Sequence, residues 1–459
     1  MSIFKKNKFN GNIFKQNRFN DDCRRMMFYC LTALVFMLPF SYEVSSALLV
    51  LGWLIFIYKS VKGFFEWNRT VFDFPIIIFT AAAFASVFVS PDPGFSFYNC
   101  YNLVGRYVLT YYLAVQCLAG KGLGSRLAEM PLKKFPADMQ RADAAEAAKK
   151  LRILLGAAAL SLVIVLVYGF LQAFAGIGLG EEMPWTDEAI FPGLKTRVFS
   201  TWENPNLLGG YLDFVMGMAA GVFFAVKNRR LRTAIVVLWC IAAFCLTLTY
   251  ARGACISIGL VIAVYGAIYN RRVLLGIIIL AAVMLLSDAT LLERLTSVFT
   301  KLDTSSEMRL AFWESTIAMI LDHPVLGIGW GAYFMVYPHY DYYMQGNFIK
   351  IVHAHNMYLN FLAEVGMVGF ISFMAYFFGS IVRAFKMQAR CSKMTWQRGL
   401  LLGTALGMAA LALNGLTDYV MFNTELSMTV WLFAGVAAAL PLFDNALAEQ
   451  KAADKNTEH

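Results

Sequence analysis

Residues 153–176 read ILLGAAALSLVIVLVYGFLQAFAG, a run of 24 positions without a single Asp, Glu, Lys or Arg. About 20 apolar residues are enough for a helix to cross the hydrocarbon core of a membrane. Similar runs recur along the 459-residue chain, of which 59% is hydrophobic and only 15% charged, whereas soluble domains carry about 25% charged residues. The sequence therefore predicts an all-α polytopic membrane protein.

Hydropathy divides the chain into about twelve transmembrane helices. We expect them to form a single transmembrane domain over residues 27–443, between a basic cytoplasmic N-terminus at 1–26 and a polar cytoplasmic tail at 444–459. The candidate spans are 27–41, 44–58, 72–89, 99–120, 153–176, 206–226, 233–250, 253–269, 273–287, 355–382, 399–417 and 426–443.

The basic residues predict the orientation of these spans. With both termini on the cytoplasmic side, 31 of the 39 Lys and Arg residues fall in inside segments and 7 in outside segments, although the outside loops are longer. The net charge of +9 therefore reflects topology, and we expect no nucleic-acid partner. Arg106 lies within a span, where it must face protein or water, and its role is left open.

The longest outside segment, residues 288–354 between spans 9 and 10, is expected to contain a helix on the membrane surface. Thr304-Ser-Ser-Glu307 has the pattern of a capping box, and Asp322-His323-Pro324 is a stop signal. Between these two signals, apolar residues recur at helical spacing, and three glycines after the stop signal predict a turn. These residues are Leu310, Trp313, Ile317 and Ile320, and Gly327, Gly329 and Gly331.

Three outside arginines are candidate anion ligands. Arg252 stands between two spans in a junction too short to be a loop, where helix amides and a guanidinium together suit phosphate; the alternative is an anchor at the interface. Arg197 precedes Asn204 and Pro205, a cap and first residue for the next helix; the alternative is a solvated charge. Arg309, in the first turn of the surface helix, opposes the helix dipole, and a bound anion would offset that cost.

Four of the five histidines lie on the outside, and two of them form His353-Ala-His355. A zinc site usually needs three or four ligands, and no Cys or HExxH spacing supplies them, so we expect no metal. His355 and Asn356 begin a span. The positive end of a helix favours a neutral imidazole, which suits a general base; a simple interfacial histidine is the alternative.

Several stretches together resemble the signature region of the O-antigen ligase/polymerase superfamily, over about residues 195–385. They are Arg309-Leu-Ala-Phe-Trp313, Asp322-His-Pro-Val-Leu-Gly-Ile-Gly-Trp-Gly331, His353-Ala-His-Asn-Met-Tyr-Leu359 and Glu364-Val-Gly366, with Arg197…Asn204-Pro-Asn206 and Tyr250-Ala-Arg-Gly253 upstream.

The resemblance implies a GT-C-like glycosyltransferase of the bacterial inner membrane, with its active site facing the periplasm and no cofactor. The donor would be a glycan on undecaprenyl diphosphate, and the enzyme would be inverting and metal-independent. By the family pattern His355 would be catalytic, and Arg252, Arg309 and Arg197 would bind the diphosphate. His353, Asn356, Glu364 and Asn206 would be supporting residues.

The acceptor distinguishes the activities that the resemblance allows. A ligase would use lipid A-core, which we favour, whereas a polymerase would use another lipid-linked glycan and a third class a protein hydroxyl. A transporter or flippase of a lipid-linked or anionic solute is the alternative from another class. Transporters place ionisable residues near the bilayer midplane, whereas the outside location of these residues favours an enzyme. Sugar identity and oligomeric state are not decided by the sequence.

Overall fold

The computed structural model describes residues 2–118, 137–178, 196–287, 289–300, 304–343, 351–390 and 395–440. These residues form α-helices joined by turns and short 3-10 or π-helical segments, and no strand occurs among them. The predicted tail at 444–459 lies outside the described residues, as do parts of the predicted outer loop.

Sixteen α-helices lie within the described residues. They are α1 (Ser2–Met37), α2 (Tyr42–Lys59), α3 (Asp73–Ser86), α4 (Pro93–Asn102), α5 (Leu109–Leu118), α6 (Ala137–Ala175), α7 (Pro205–Ala225), α8 (Arg229–Leu248), α9 (Arg252–Tyr269), α10 (Arg271–Ser287), α11 (Ala289–Thr300), α12 (Thr304–Asp322), α13 (Tyr333–Val336), α14 (Met357–Arg390), α15 (Thr395–Asn414) and α16 (Thr424–Ala439).

Six helical stretches of the described chain are long and apolar enough to cross a membrane. Two shorter apolar helices, Asp73–Val89 and Thr424–Ala439, accompany them. The protein is therefore an all-α membrane protein, as the hydropathy predicted. The six stretches are Tyr42–Phe64, Ala145–Ala175, Pro205–Ala225, Arg229–Leu248, Arg252–Tyr269 and Met357–Ala389.

One predicted span has a different structure from the continuous helix expected over 99–120. The helix begins earlier because Asp92 accepts a hydrogen bond from the amide of Phe95, with Pro93 in its first turn. A π-helical segment then interrupts it at Leu103–Val108. Arg106 lies in that segment with its guanidinium 5.1 Å from the ring of Tyr42, so a cation–π contact accommodates this charge.

The centre of the bundle is the antiparallel pair α7 and α15, which glycines bring into backbone contact. A Cβ atom on Gly217 would lie 2.3 Å from the amide nitrogen of Gly407, and one on Gly221 would lie 2.1 Å from that of Gly403. Only glycine permits so close an approach. The pairing brings the first residues of α7 and the last residues of α15 to the same end of the bundle.

The helix predicted between Thr304 and Asp322 is present as α12, and the glycine turn that follows it packs against a break in α14. Gly366 has a φ of +65°, and a Cβ atom there would lie 2.1 Å from the carbonyl oxygen of Val325. The amide of Ile328 donates to the carbonyl of Ala363 at 2.8 Å. The outer segment is thus fixed to the bundle beside the start of α14.

Candidate functional site

His355 lies two residues before α14, in a backbone conformation that is unusual for a side chain of this kind. Its φ is +48°. Asn356 caps the helix by accepting hydrogen bonds from the amides of Tyr358 and Leu359, at 3.0 and 3.1 Å. The imidazole stacks on the ring of Phe312 from α12, with centroids 5.8 Å apart, and 31% of the side chain is exposed. The ring is thus held between two helices while part of it stays accessible.

The second ring contact of His355 is with a buried carboxylate that the sequence analysis missed. Nδ1 of His355 lies 3.1 Å from Oδ1 of Asp418, in the turn after α15. The same carboxylate accepts hydrogen bonds from the amide of Tyr419 at 2.8 Å and from Nδ2 of Asn206 at 2.7 Å. An acid at the predicted outer edge of a span is itself a signal of function, and this signal could have identified Asp418.

Asp418 is ionised and therefore determines which nitrogen of His355 carries the hydrogen. Burial raises the pKa of Asp418, but the hydrogen bond from His355, the charge of His355 in its protonated form and the positive charge of Arg309 outweigh the effect of burial. Together they hold the pKa of Asp418 below its usual range. An ionised carboxylate can only accept, so Nδ1 must donate, and Nε2 of the neutral ring is then an acceptor.

Arg197 is joined to this pair through Asn206. Its terminal Nη2 donates to Oδ1 of Asn206 at 2.8 Å, and its Nε donates to the carbonyl of Thr249 at 2.8 Å. The Asn206 amide therefore accepts from Arg197 and donates to Asp418. Asn204 caps α7 and Pro205 is its first residue, as predicted, so the helix start fixes Asn206 in place. Arg197, Asn206, Asp418 and His355 form one continuous hydrogen-bonded chain.

Arg252 begins α9 at the same end of the bundle. It is buried, whereas an interfacial anchor would extend its charged group away from the protein. A Cβ atom on the next residue, Gly253, would lie 2.7 Å from Oγ1 of Thr417 and 2.8 Å from Oδ1 of Asn414. The start of α9 therefore packs directly on the turn that carries Asp418.

Arg309 lies on α12, and its charge reaches the histidine and aspartate. Its positive charge lowers the pKa of both His353 and Asp418. Because α12 begins at Thr304, Arg309 is in the second turn of the helix, and the prediction that it lies in the first turn is wrong.

Backbone strain is concentrated in the segments that form this site. Four non-glycine residues of the described chain have positive φ angles, and all four lie in the segments around Arg197, Arg252 and His355. Such conformations cost about 1–3 kcal/mol each and persist where the surroundings impose them, often at functional sites. They are Ser200, Glu203, Tyr250 and His355.

This end of the bundle thus combines a histidine–carboxylate pair with three arginines. Residues 234–374 match the family model described as O-antigen ligase. The match confirms the superfamily that the motifs resemble, and it contains Arg252, Arg309 and His355 but neither Arg197 nor Asp418. No match was found among curated proteins.

Within the matched segment, His353 supports the backbone of His355. Its Nδ1 accepts the hydrogen bond of the His355 amide at 3.2 Å, and its ring packs 4.6 Å from that of Phe422. Burial lowers the pKa of His353 to about 3, and the positive charges of His355 and Arg309 contribute in the same direction. His353 is therefore neutral at physiological pH.

A metal ion could be held by His353, His355 and Asp418, whose ligand atoms lie within 4.8 Å of one another. In the described part of the chain no other His, Cys, Asp or Glu joins this group. Zinc commonly takes four ligands. Moreover, the donors already bonded to Asp418 and to Nδ1 of His353 would have to give way. The group can thus act as a hydrogen-bonded network without a metal.

The remaining predicted residues of the matched segment connect it to neighbouring parts of the bundle. Nδ2 of Asn356 donates to the carbonyl of Leu416 at 3.1 Å, which ties the start of α14 to the turn bearing Asp418. Glu364 is buried one turn after Asn360, and it accepts hydrogen bonds from the backbone amides of Gly331 and Tyr333.

Proposed function

We propose that this protein is a membrane glycosyltransferase that moves a glycan from undecaprenyl diphosphate to an acceptor hydroxyl, and the match of residues 234–374 to the O-antigen ligase family supports this activity. One observation carries this proposal: His355 is hydrogen-bonded to the buried Asp418, at the end of the bundle that also contains three arginines. A base and a set of cations at one end of a bundle are what transfer from a diphosphate leaving group requires.

His355 acts as the general base of this reaction. Asp418 holds the hydrogen on Nδ1, so Nε2 accepts the proton of the acceptor hydroxyl as its oxygen attacks the anomeric carbon. The bond from that carbon to the diphosphate oxygen breaks as the new glycosidic bond forms. A single direct displacement inverts the anomeric centre, and it uses no enzyme nucleophile. General base catalysis of this kind contributes about 10²–10⁴ in rate.

The arginines stabilise the departing diphosphate. Arg252 and Arg309 supply guanidinium groups that can each bind two phosphate oxygens. Arg197 adds a third positive charge, which its hydrogen bonds to Asn206 and Thr249 hold in place. The charge that develops on the leaving oxygen is neutralised by these cations, so the reaction proceeds without a metal. Energy comes from the donor, because no nucleotide is consumed.

The direction of the site follows from the proposed topology. Twelve spans with both termini cytoplasmic orient the His355 end of the bundle towards the periplasm in the inner membrane. The layout is one transmembrane domain over 27–443, with the basic segment 1–26 and the tail 444–459 on the cytoplasmic side. Support comes from the 31 basic residues on one side, and labelling of single cysteines from either side would test it.

Ligation to lipid A-core is the proposed activity, and polymerisation of lipid-linked glycan is the second candidate within the family. Both use the same base and the same leaving group, so the acceptor alone separates them. Transport of a lipid-linked or anionic solute is less well supported, because the charged residues lie at one end of the bundle instead of its midplane.

Purified protein should be incubated with an undecaprenyl-diphosphate glycan and, separately, with lipid A-core, a second lipid-linked glycan or an acceptor peptide. Mass spectrometry identifies the product, and NMR of the new linkage reports inversion or retention. The proposal predicts transfer to lipid A-core with inversion. If folded protein that binds the donor transfers the glycan to none of these acceptors, the proposal is refuted.

A matched pair of variants links the activity to the site. His355→Ala should retain donor binding but lose about 10²–10⁴ in turnover. His323→Ala removes an exposed histidine of the same outer segment and should leave turnover unchanged. Equal turnover by the two variants would remove His355 from the mechanism.

A further inference from the structure

An apolar cavity of about 380 Å³ lies at the end of the bundle opposite His355. Its walls come from the last turns of α7 and α9 and from the first turns of α8 and α10. Helix α9 has 18 residues between Arg252 at the site and Tyr269 beside the cavity, a length of about 27 Å at 1.5 Å per residue. That distance is close to the roughly 30 Å thickness of the hydrocarbon core. The cavity and the glycan site therefore belong to opposite leaflets.

The lining of the cavity is apolar except for Arg232, Asn270 and Arg272. Trp239, Val236 and Ile277 are among the apolar wall residues, whereas Arg232 and Arg272 stand at the starts of α8 and α10. The guanidinium carbon of Arg232 lies 4.5 Å from the ring centroid of Phe223, so its charge is held against the wall of the cavity.

The surrounding helices leave this region open to the membrane. Only 22% of the most apolar 18-residue stretch of α8 is buried inside the protein, the smallest share among the six candidate spans in the described chain. At Gly276 on α10, a Cβ atom would meet nothing within 4 Å. The space is therefore available to a molecule that enters from the bilayer.

We propose that this cavity binds an anionic phospholipid, with an acyl chain between α8 and α10 and the phosphate between Arg232 and Arg272. A volume near 400 Å³ is within the range of about 300–1,000 Å³ typical of ligand sites. Paired guanidiniums above an apolar cleft, at the level of lipid headgroups, match the charge and the shape of such a lipid. The site does not depend on the role proposed for His355, and its test does not use glycan transfer.

Trp239 provides a reporter inside the cavity. Its indole Nε1 donates to the carbonyl of Met216 at 3.2 Å, which fixes the ring. The full-length protein should be reconstituted in phosphatidylcholine nanodiscs that contain either brominated phosphatidylglycerol or brominated phosphatidylcholine, because bromine quenches tryptophan fluorescence at contact. Subtracting the fluorescence of the Trp239→Phe variant from that of the unmodified protein isolates the signal of Trp239.

We expect phosphatidylglycerol to quench Trp239 with an apparent affinity about 10–30-fold above that of phosphatidylcholine. This factor is the electrostatic preference that two basic groups give an anionic lipid. The double variant R232Q/R272Q should lose this preference. The matched control R230Q/R271Q removes two charges from the same helix starts, outside the cavity, and should keep it.

A second pair of variants tests the volume instead of the charge. Gly276→Leu places a side chain in the open space and should abolish preferential quenching, whereas Gly259→Leu, on α9 with equally open surroundings, should not. Equal quenching by both lipids in the unmodified protein would overturn the proposal. So would an equal loss in R230Q/R271Q, which would indicate a general surface potential. Protection of Trp239 from both lipids would indicate a second copy of the chain on this face, and it also contradicts the proposal.

Discussion

Replacing Asp418 by Asn is the most informative perturbation of the site, because it changes hydrogen bonding with almost no change in shape. In the native protein Oδ1 accepts from His355 and from the Tyr419 amide, and Oδ2 accepts from Asn206. An asparagine has only one acceptor oxygen. Whichever way its amide is turned, at least one of these donors faces an NH2 group.

The consequences of the two orientations can be worked out. If the NH2 group faces His355, Nδ1 must become the acceptor, the hydrogen moves to Nε2 and the base is lost. If it faces Asn206, that amide must turn over, and its bond with Arg197 is broken. Each lost charge-assisted bond is worth about 1.5–3 kcal/mol. In the first orientation the base is lost, which costs about 10²–10⁴ in turnover. In both orientations the neutral amide no longer stabilises the imidazolium that forms when Nε2 takes the proton. We therefore expect kcat to fall at least 100-fold, with donor affinity changed less than tenfold.

Transfer to the acceptor and binding of the lipid-linked donor should be measured separately for Asp418→Asn and for Asp322→Asn. Asp322 is an exposed acid at the end of α12, bonded to Tyr340, and it controls for the loss of one charge on the same face. In a double-mutant cycle, Asp418→Asn should add little to His355→Ala, because both remove the same base. Near-native turnover of Asp418→Asn, or full additivity of the two changes, would refute the reasoning.

Three further predictions concern charge and metal. Arg252→Lys should weaken donor binding and turnover together, since lysine keeps the charge but loses the two-pronged phosphate contact; native-like binding and transfer would reduce Arg252 to a structural role. Transfer should survive EDTA and gain little from Mg²⁺ or Mn²⁺, and loss with chelator that a divalent ion restores would mean that His353, His355 and Asp418 hold a metal. The pKa of His353 is about 3 in the folded protein and about 6.5 when unfolded, so the unfolded chain binds more protons between these values. The free energy of unfolding should therefore fall by up to about 1.4 kcal/mol per unit as pH drops from 6 to 4, and thermal unfolding of His353→Gln should lack this slope.

The start of α7 shows what local sequence can predict. Asn204 and Pro205 carry the cap and the first helical residue in adjacent positions, and the structure has both as expected. Helix α12 was likewise predicted from its own residues. The interruption of the span at 99–120 was not, because π-helical geometry at Leu103–Val108 leaves no mark on hydropathy.

The sequence by itself determined the all-α membrane class and the resemblance to the O-antigen ligase superfamily, because long apolar runs and local motifs are properties of contiguous residues. Only the tertiary structure decided that Asp418 joins His355, 63 positions away, and that Asn206, 212 positions away, bonds to the same carboxylate. The glycine faces of α7 and α15 bring these residues together. Periodicity within one chain shows which face of a helix is apolar, but it contains no information about which other helix that face will contact, and the pairing of buried polar groups depends on that contact.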